Sequence, residues 1–146
     1  MEKVIIRELH GDDAADICRI FGDIIQKPPV SPDFKHIIER HAAREKDACV
    51  VAELNGKVVG FLISYILTMG FGIDKSAWIA TLGVDPSFMG QGIGDSMAKE
   101  IFKYYKGQGI HNVYTSVRWD SPDLLSFFKT LGFDRSNFVN LRKTID

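Results

Sequence analysis

The chain has 146 residues, 45% apolar and 25% charged, and 18 Lys and Arg against 19 Asp and Glu leave a net charge of −1. That balance excludes disordered, collagen-like and repeat architectures, and the length suits one domain, residues 1–146, with a core that needs no staples. No chain-wide electrostatic footprint for nucleic acid or an anionic membrane exists, so any anion site must be local.

In chain order, Val4 to Leu9 is a short β-branched run ended by His10-Gly11, which reads as an opening strand. Asp12 or Asp13 is placed to accept hydrogen bonds from a new helix, and Ala14, Ile17, Cys18, Phe21, Ile24 and Ile25 keep the helical period to about Gln26. Lys27-Pro28-Pro29-Val30 breaks it. Ser31-Pro32-Asp33 restarts a helix with inner positions Phe34, Ile37, Ile38 and His41. Ala48–Leu54, Asn55-Gly56 and Lys57–Leu67 then form a hairpin signal, because a tight primed turn needs two residues that tolerate positive φ. Ser76–Val84 is a further strand. A glycine-rich connection leads from it into a helix with apolar positions Ile93, Met97, Ile101 and Tyr104 or Tyr105, closed near Gly107. Val113–Val117 is a strand, and Ser121-Pro122-Asp123 caps a helix through Leu131 with Gly132 as its stop. Phe133 and Phe138 to Leu141 would finish the sheet. The order is β-α-α-β-β-β-α-β-α-β, a mixed α/β (α+β) domain.

The two cysteines, Cys18 and Cys49, share no CxxC or His-paired spacing and read as buried free thiols. The N-terminus lacks the long apolar run of a signal peptide, and Phe61–Ile73 is too short and too interrupted to span a bilayer, so the cytoplasm is the default. His36 and His41 are five apart, which is not the i, i+4 spacing of a zinc face; no metal site is expected.

Three glycines in five positions, Gly90, Gly92 and Gly94, separate a strand from a helix. Such a loop lets successive N–H groups point into one space, and the helix adds its positive end, so the place suits a phosphate or pyrophosphate. A dinucleotide fingerprint needs G-x-G-x-x-G and an acid about 20 residues later, and a Walker A loop needs Gly-Lys-Ser/Thr. This chain has G-x-G-x-G and Gly94-Asp95-Ser96, so both nucleotide readings fail.

What remains resembles the acetyl-coenzyme A loop of the GNAT superfamily of N-acetyltransferases, an apolar strand ending V-x-P, an aromatic, then [Q/R]-x-x-G-x-[G/A]. Val84-Asp85-Pro86-Ser87-Phe88 followed by Met89-Gly90-Gln91-Gly92-Ile93-Gly94 matches at all but one defined position. Val117-Arg118-Trp119-Asp120-Ser121 and Phe127-Phe128-Lys129-Thr130-Leu131-Gly132-Phe133 are similar to the second family motif, V-R-x-x-N…L-Y-x-x-x-G-F. The resemblance covers nearly the whole chain. It implies a central, mostly antiparallel sheet of six to seven strands flanked by about four helices, and acetyl-coenzyme A as co-substrate. It also implies that pantetheine pairs with the main chain of Leu82, Gly83 and Val84, where the fourth strand splays from the fifth. The pyrophosphate would rest on the amides of Gly90, Gln91, Gly92, Ile93, Gly94 and Asp95. A glycine inside the docking strand, Gly83, also suits close approach by another backbone-like chain.

Four positions depart from the family pattern. Met89 replaces the loop-opening Gln or Arg, and Ser121 replaces the Asn at the last helix start, where it also suffices as a cap. Phe128 stands where a Tyr commonly protonates the departing thiolate, at the cofactor's sulfur end, and has no proton to give. Ser116 stands where some relatives carry a catalytic glutamate. No general acid or base is assigned. Positioning alone supplies a large part of a barrier reduction, whereas acid–base help is typically worth about 100- to 10,000-fold. Candidate acceptor residues are Gln26, Pro28 and Pro29 in the break between the first helices, Tyr65 on the third strand, and Trp119 after the fifth.

The expected activity is transfer of acetyl to a primary amine by direct attack. A small amine, an amino acid, an antibiotic-like molecule and a protein N-terminus or lysine all fit, and a homodimer is compatible with the fold. The rival class is a non-catalytic acyl-coenzyme A binding or sensing domain.

Overall fold

A computed structural model describes residues 3–25, 32–44, 48–68 and 75–146. The elements are β1 (Ile5–Glu8), α1 (Ala14–Ile25), α2 (Pro32–Ala43), β2 (Cys49–Leu54), β3 (Lys57–Leu67), β4 (Ser76–Val84), α3 (Ile93–Gly107), β5 (Val113–Thr115) and α4 (Pro122–Thr130), with 3-10 turns at Gly11–Asp13 and Pro86–Phe88. The strands form one sheet in the order β1-β2-β3-β4-β5. The first three pairings are antiparallel and β4–β5 is parallel. This is a mixed α/β fold with the element order the resemblance implied, and it has five strands among the described residues where six to seven were expected. The strand anticipated at Phe138–Leu141 does not form, because those residues join no ladder, and β5 closes two residues early at Thr115.

The hairpin turn is as read. Asn55 has φ 53° and Gly56 φ 77°, the left-handed pair that a primed turn demands. Asp13 caps the 3-10 turn that leads into α1 and also takes part in a charge pair. Its carboxylate accepts from the His10 main chain at 2.9 Å and takes a two-point bond from Arg7 at 2.9 Å, while Arg7 also reaches Glu53 at 3.2 Å. The charge pair thus fastens the end of β1 to β2 and to the turn that starts α1. Ser121 precedes α4, but its hydroxyl makes no capping bond.

Side-chain alternation gives the sheet two apolar faces. Ala52, Leu62, Ala77 and Ile79 pack with Met97, Ile101 and Tyr105 of α3 and with Phe128 of α4. Val51, Val58, Phe61 and Ile63 pack with Ala14, Ile17 and Ile20 of α1 and Ile38 of α2. Cys49 is buried and Cys18 half-buried, and no disulfide joins them.

One contact of this packing gives Gly83 a structural role. A β-carbon built on Gly83 would stand 2.7 Å from the Phe61 ring and 2.8 Å from Ile24 Cδ1. Gly83 and Phe61 are direct cross-strand partners, so the ring lies over the missing side chain. This packing by itself requires glycine at position 83. Gly83→Ala should cost about 1–3 kcal/mol by overpacking. Thermal unfolding followed by circular dichroism measures it, and the double variant Gly83→Ala with Phe61→Leu should recover part of the loss.

Candidate functional site

β4 and β5 pair only at Ala77–Val113, Trp78–Tyr114 and Ile79–Thr115. Thr115 Oγ1 donates to the Ile79 carbonyl at 3.0 Å and closes this last rung. Just beyond it, Ile63 faces Thr81 and Ser64 faces Ile79, which leaves Ala80 as an extra residue in β4. A bulge of this kind bends its strand and leaves the extra residue unpaired. From Thr81 to Val84, β4 pairs with β3 alone among the described residues. The Asp85 N–H donates back to the Val59 carbonyl at 2.8 Å. By strand alternation the main chains of Gly83 and Thr81 also face β3, and those of Leu82 and Val84 face the opening.

The opening leads to the start of α3. Gly90 (φ 82°) and Gly92 (φ 77°) occupy left-handed backbone that other residues rarely adopt, and a β-carbon on either would meet open space. Gly92 is the N-cap, and its carbonyl accepts from Ser96 N at 3.0 Å. The N–H groups of Ile93, Gly94 and Asp95 therefore lack helical partners, and among the described residues no main-chain bond is donated from 90 to 95. Gly94 serves packing instead, because its β-carbon would stand 3.2 Å from Phe127 and its absence lets α3 approach α4. Met89 is 58% exposed beside this nest. Asp95, an anion next to the free amides, is held by Lys99 at 2.8 Å.

Asp85 was read only as the spacer of V-x-P, yet it is buried and organises the loop. Its carboxylate accepts from Ser87 N at 3.0 Å and from Arg19 of α1 at 3.0 Å, and its carbonyl accepts from Phe88 N at 2.8 Å. Arg19 also donates to the Val58 carbonyl at 3.3 Å. Burial pushes the Asp85 carboxyl up, but the Ser87 N–H and the Arg19 guanidinium outweigh it and hold the group below the usual carboxylate range. The sequence signal was an Asp directly before Pro-Ser, the pattern of a short capped turn.

At the closed end of the opening, Tyr65 stacks on Trp78 (6.5 Å between ring centroids) and Trp78 on Tyr114 (4.8 Å). Alternation places this row on the α1 and α2 face, one residue before the last β4–β5 rung. Trp78 and Tyr114 were missed as site candidates; their parity within two strands was the available signal. Trp119 is 89% exposed and joins no ring contact among the described residues. Phe128 is buried, with its ring 5.3 Å from Phe127 and 5.1 Å from Phe133. Gln26, Pro28 and Pro29 lie outside the described residues.

Residues 15–133 match the Acetyltransferase (GNAT) family. An uncharacterised N-acetyltransferase of Methanocaldococcus jannaschii is 34% identical over 98 residues, a stretch that covers 66% of this chain and 43% of that relative's length. The chain is also similar in fold to an aminoglycoside acetyltransferase from an uncultured soil metagenomic sample, in complex with sisomicin, with TM-score 0.81 at 23% identity over 98% of this chain and 97% of that one. An aminoglycoside N-acetyltransferase in complex with CoA gives TM-score 0.83 at 15% identity over 99% and 96% of the two chains.

Because the folded Asp85 carboxyl is depressed, its contribution to stability is full above the unfolded value near pH ~3.9 and is lost as the pH falls through the lower folded value. Asp85→Asn should cost about 1–3 kcal/mol at neutral pH. In thermal melts across a pH series, the gap between wild type and variant should narrow below pH ~4.

Proposed function

The chain belongs to the GNAT family of acetyltransferases, and we propose that it transfers an acetyl group from acetyl-coenzyme A to a primary amine. The observation that carries this reading is the parting of β4 from β5 after Ile79, beside the unpartnered amides that open α3. An elongated ligand with a polyanionic end fits that arrangement: the main chains of Leu82 and Val84 offer an added-strand partner, and the loop from Gly90 to Asp95 offers N–H donors without side-chain charge. Coenzyme A supplies the acyl group as an activated thioester. Transfer forms a carbon–nitrogen bond and breaks a carbon–sulfur bond, and a proton leaves nitrogen and reaches sulfur.

The residues act by placement. The bulge at Ala80 puts unpaired main-chain groups next to the last β4–β5 rung, where the strand edge ends. The row of Tyr65, Trp78 and Tyr114 offers a π surface to a cationic or apolar amine on the α1 and α2 face. Met89 covers the loop without a phosphate contact of its own, and Ser121, with its hydroxyl unused as a cap, is available to the ligand. Phe128 lies among Phe127 and Phe133 and has no proton to give, so the departing sulfur takes its proton from water or from another residue. The GNAT-like unit spans residues 1–146 as one domain, and two cysteines that do not pair with each other suit a reducing compartment, which we take to be the cytoplasm.

Thiol release from acetyl-coenzyme A against a panel of amines tests the activity. Amine-dependent release is the expected result; tight coenzyme A binding with no release from any amine would make the chain a binding domain instead. Gly92→Val should weaken coenzyme A binding at least tenfold, or about 1.4 kcal/mol, because a β-branched residue resists φ 77°. Gly92→Asn, which tolerates that conformation, should keep most of the affinity. Calorimetry with both folded variants separates a backbone nest from a plain glycine connection.

A further inference from the structure

Tyr65, Trp78 and Tyr114 are direct cross-strand partners, one on each of β3, β4 and β5. The centroids of Trp78 and Tyr114 are 4.8 Å apart, with the planes 24° from parallel. Rings at that distance cannot lie side by side in one plane, so these two overlap face to face. Tyr65 is within 8° of parallel to the indole and stands the same way. The planes therefore rise from the sheet, and their edges point into the space above it. The indole N–H of Trp78 is bonded to Ser76 Oγ at 2.9 Å, which fixes the central ring and leaves it no donor for a ligand. Phe138 closes the β5 end of the row, edge-on to Tyr114 at 5.6 Å. Tyr65 and Phe138 are exposed and the two rings between them half-buried, so the row is a surface rather than core.

Two properties of this surface select a ligand. An aromatic edge is the positive rim of its ring, which draws the face of another ring and gives an ammonium group little to bind. The residues two positions along the same strands, Ile63, Leu67, Ser76 and Asn112, share the row's face and carry no charge, so none of them supplies a carboxylate to a polycation. The row also stands at a set distance from the opening. The last β4–β5 rung is one residue beyond Trp78, and the bulge at Ala80 is two residues beyond it, roughly 7 Å along the strand. Resting on the acyl-transfer reading, we infer that the acceptor is a primary amine joined by a chain of about two or three carbons to an uncharged aromatic ring. The ring lies with its face across the edges of Tyr65, Trp78 and Tyr114, and the chain carries the nitrogen past the last rung to the acyl carbonyl. The nitrogen bonds the acyl carbon, the carbon–sulfur bond breaks, and the proton released from nitrogen ends on sulfur.

2-Phenylethylamine and hexylamine are both primary ammonium ions in neutral water, so they differ in the ring and not in the charge. Thiol release at saturating acetyl-coenzyme A should give 2-phenylethylamine a kcat/KM at least about tenfold above that of hexylamine, with spermidine and sisomicin lower still. Calorimetric titration of the two amines into the coenzyme A complex, which has no acyl group to transfer, should show a Kd ratio of similar size. Tyr65→Ala should bring both ratios toward one, and Tyr65→Phe, which keeps the ring, should preserve them. Coenzyme A affinity is the control for folding in both variants. Equal binding of the two amines overturns the inference, and so does a folded Tyr65→Ala variant that keeps the wild-type preference. Thiol release that favours hexylamine, spermidine or sisomicin also overturns it, while leaving acyl transfer intact. Ring-selective binding without release from any amine would instead overturn the acyl-transfer reading, and with it the ring's place on an acceptor.

Discussion

The bond between Arg19 and Asp85 links the parts of this protein that the site requires. Asp85 stands where β4 ends and the glycine loop begins, and its buried carboxylate is shared between Ser87 N and the guanidinium of α1. Arg19 is itself set among carboxylates, with Asp16 at 3.8 Å and Asp23 at 3.9 Å on its own helix. Those two pairs are exposed and contribute little. The buried one fixes direction: it turns the chain out of the sheet at a defined angle and delivers residues 90–95 to the head of α3. Without that anchor the free amides would still exist, but nothing would hold them in line with the edge of β4.

The opening itself follows from a mismatch in the sheet. β4 is held to β3 along its whole length, while β5 is short and parallel, a pairing slightly weaker per residue. One extra residue at Ala80 bends β4 away just where β5 ends. Main-chain polarity that a complete sheet would consume is thereby left at an accessible edge. The two helices on one face and α3 on the other bury the rest of the sheet, so the polarity is concentrated along this line.

Much of this was legible in the residues. The Asn-Gly turn, the glycines ahead of α3 and the V-x-P strand end each impose a backbone geometry with few solutions, and the family resemblance joined them in the right order. What could not be read was pairwise packing. Gly83 looks permissive in the sequence and is instead occupied by the Phe61 ring, because the identity of a cross-strand partner depends on a register that a bulge shifts. Asp13 caps its turn as its residue type suggests, but its two-point bond to Arg7 of β1 depends on the fold. The final strand at 138–141 has suitable residue types, but a strand needs a partner edge as well as a propensity. Phe128 was legible as a missing hydroxyl on an apolar helical stripe, and it is buried against the rings of Phe127 and Phe133.

The aromatic row gives the molecule a built-in optical probe. Of its two tryptophans, Trp119 sits in water, 89% exposed, whereas Trp78 is sandwiched between Tyr65 and Tyr114 with its indole N–H bonded to Ser76 Oγ at 2.9 Å. The first contributes a red-shifted emission that soluble quenchers reach freely. The second emits from a shielded, half-buried ring one residue from the rung where β4 and β5 part. A change at that rung therefore alters one of two spectrally separable signals, and the natural chain reports on its own cleft without a label.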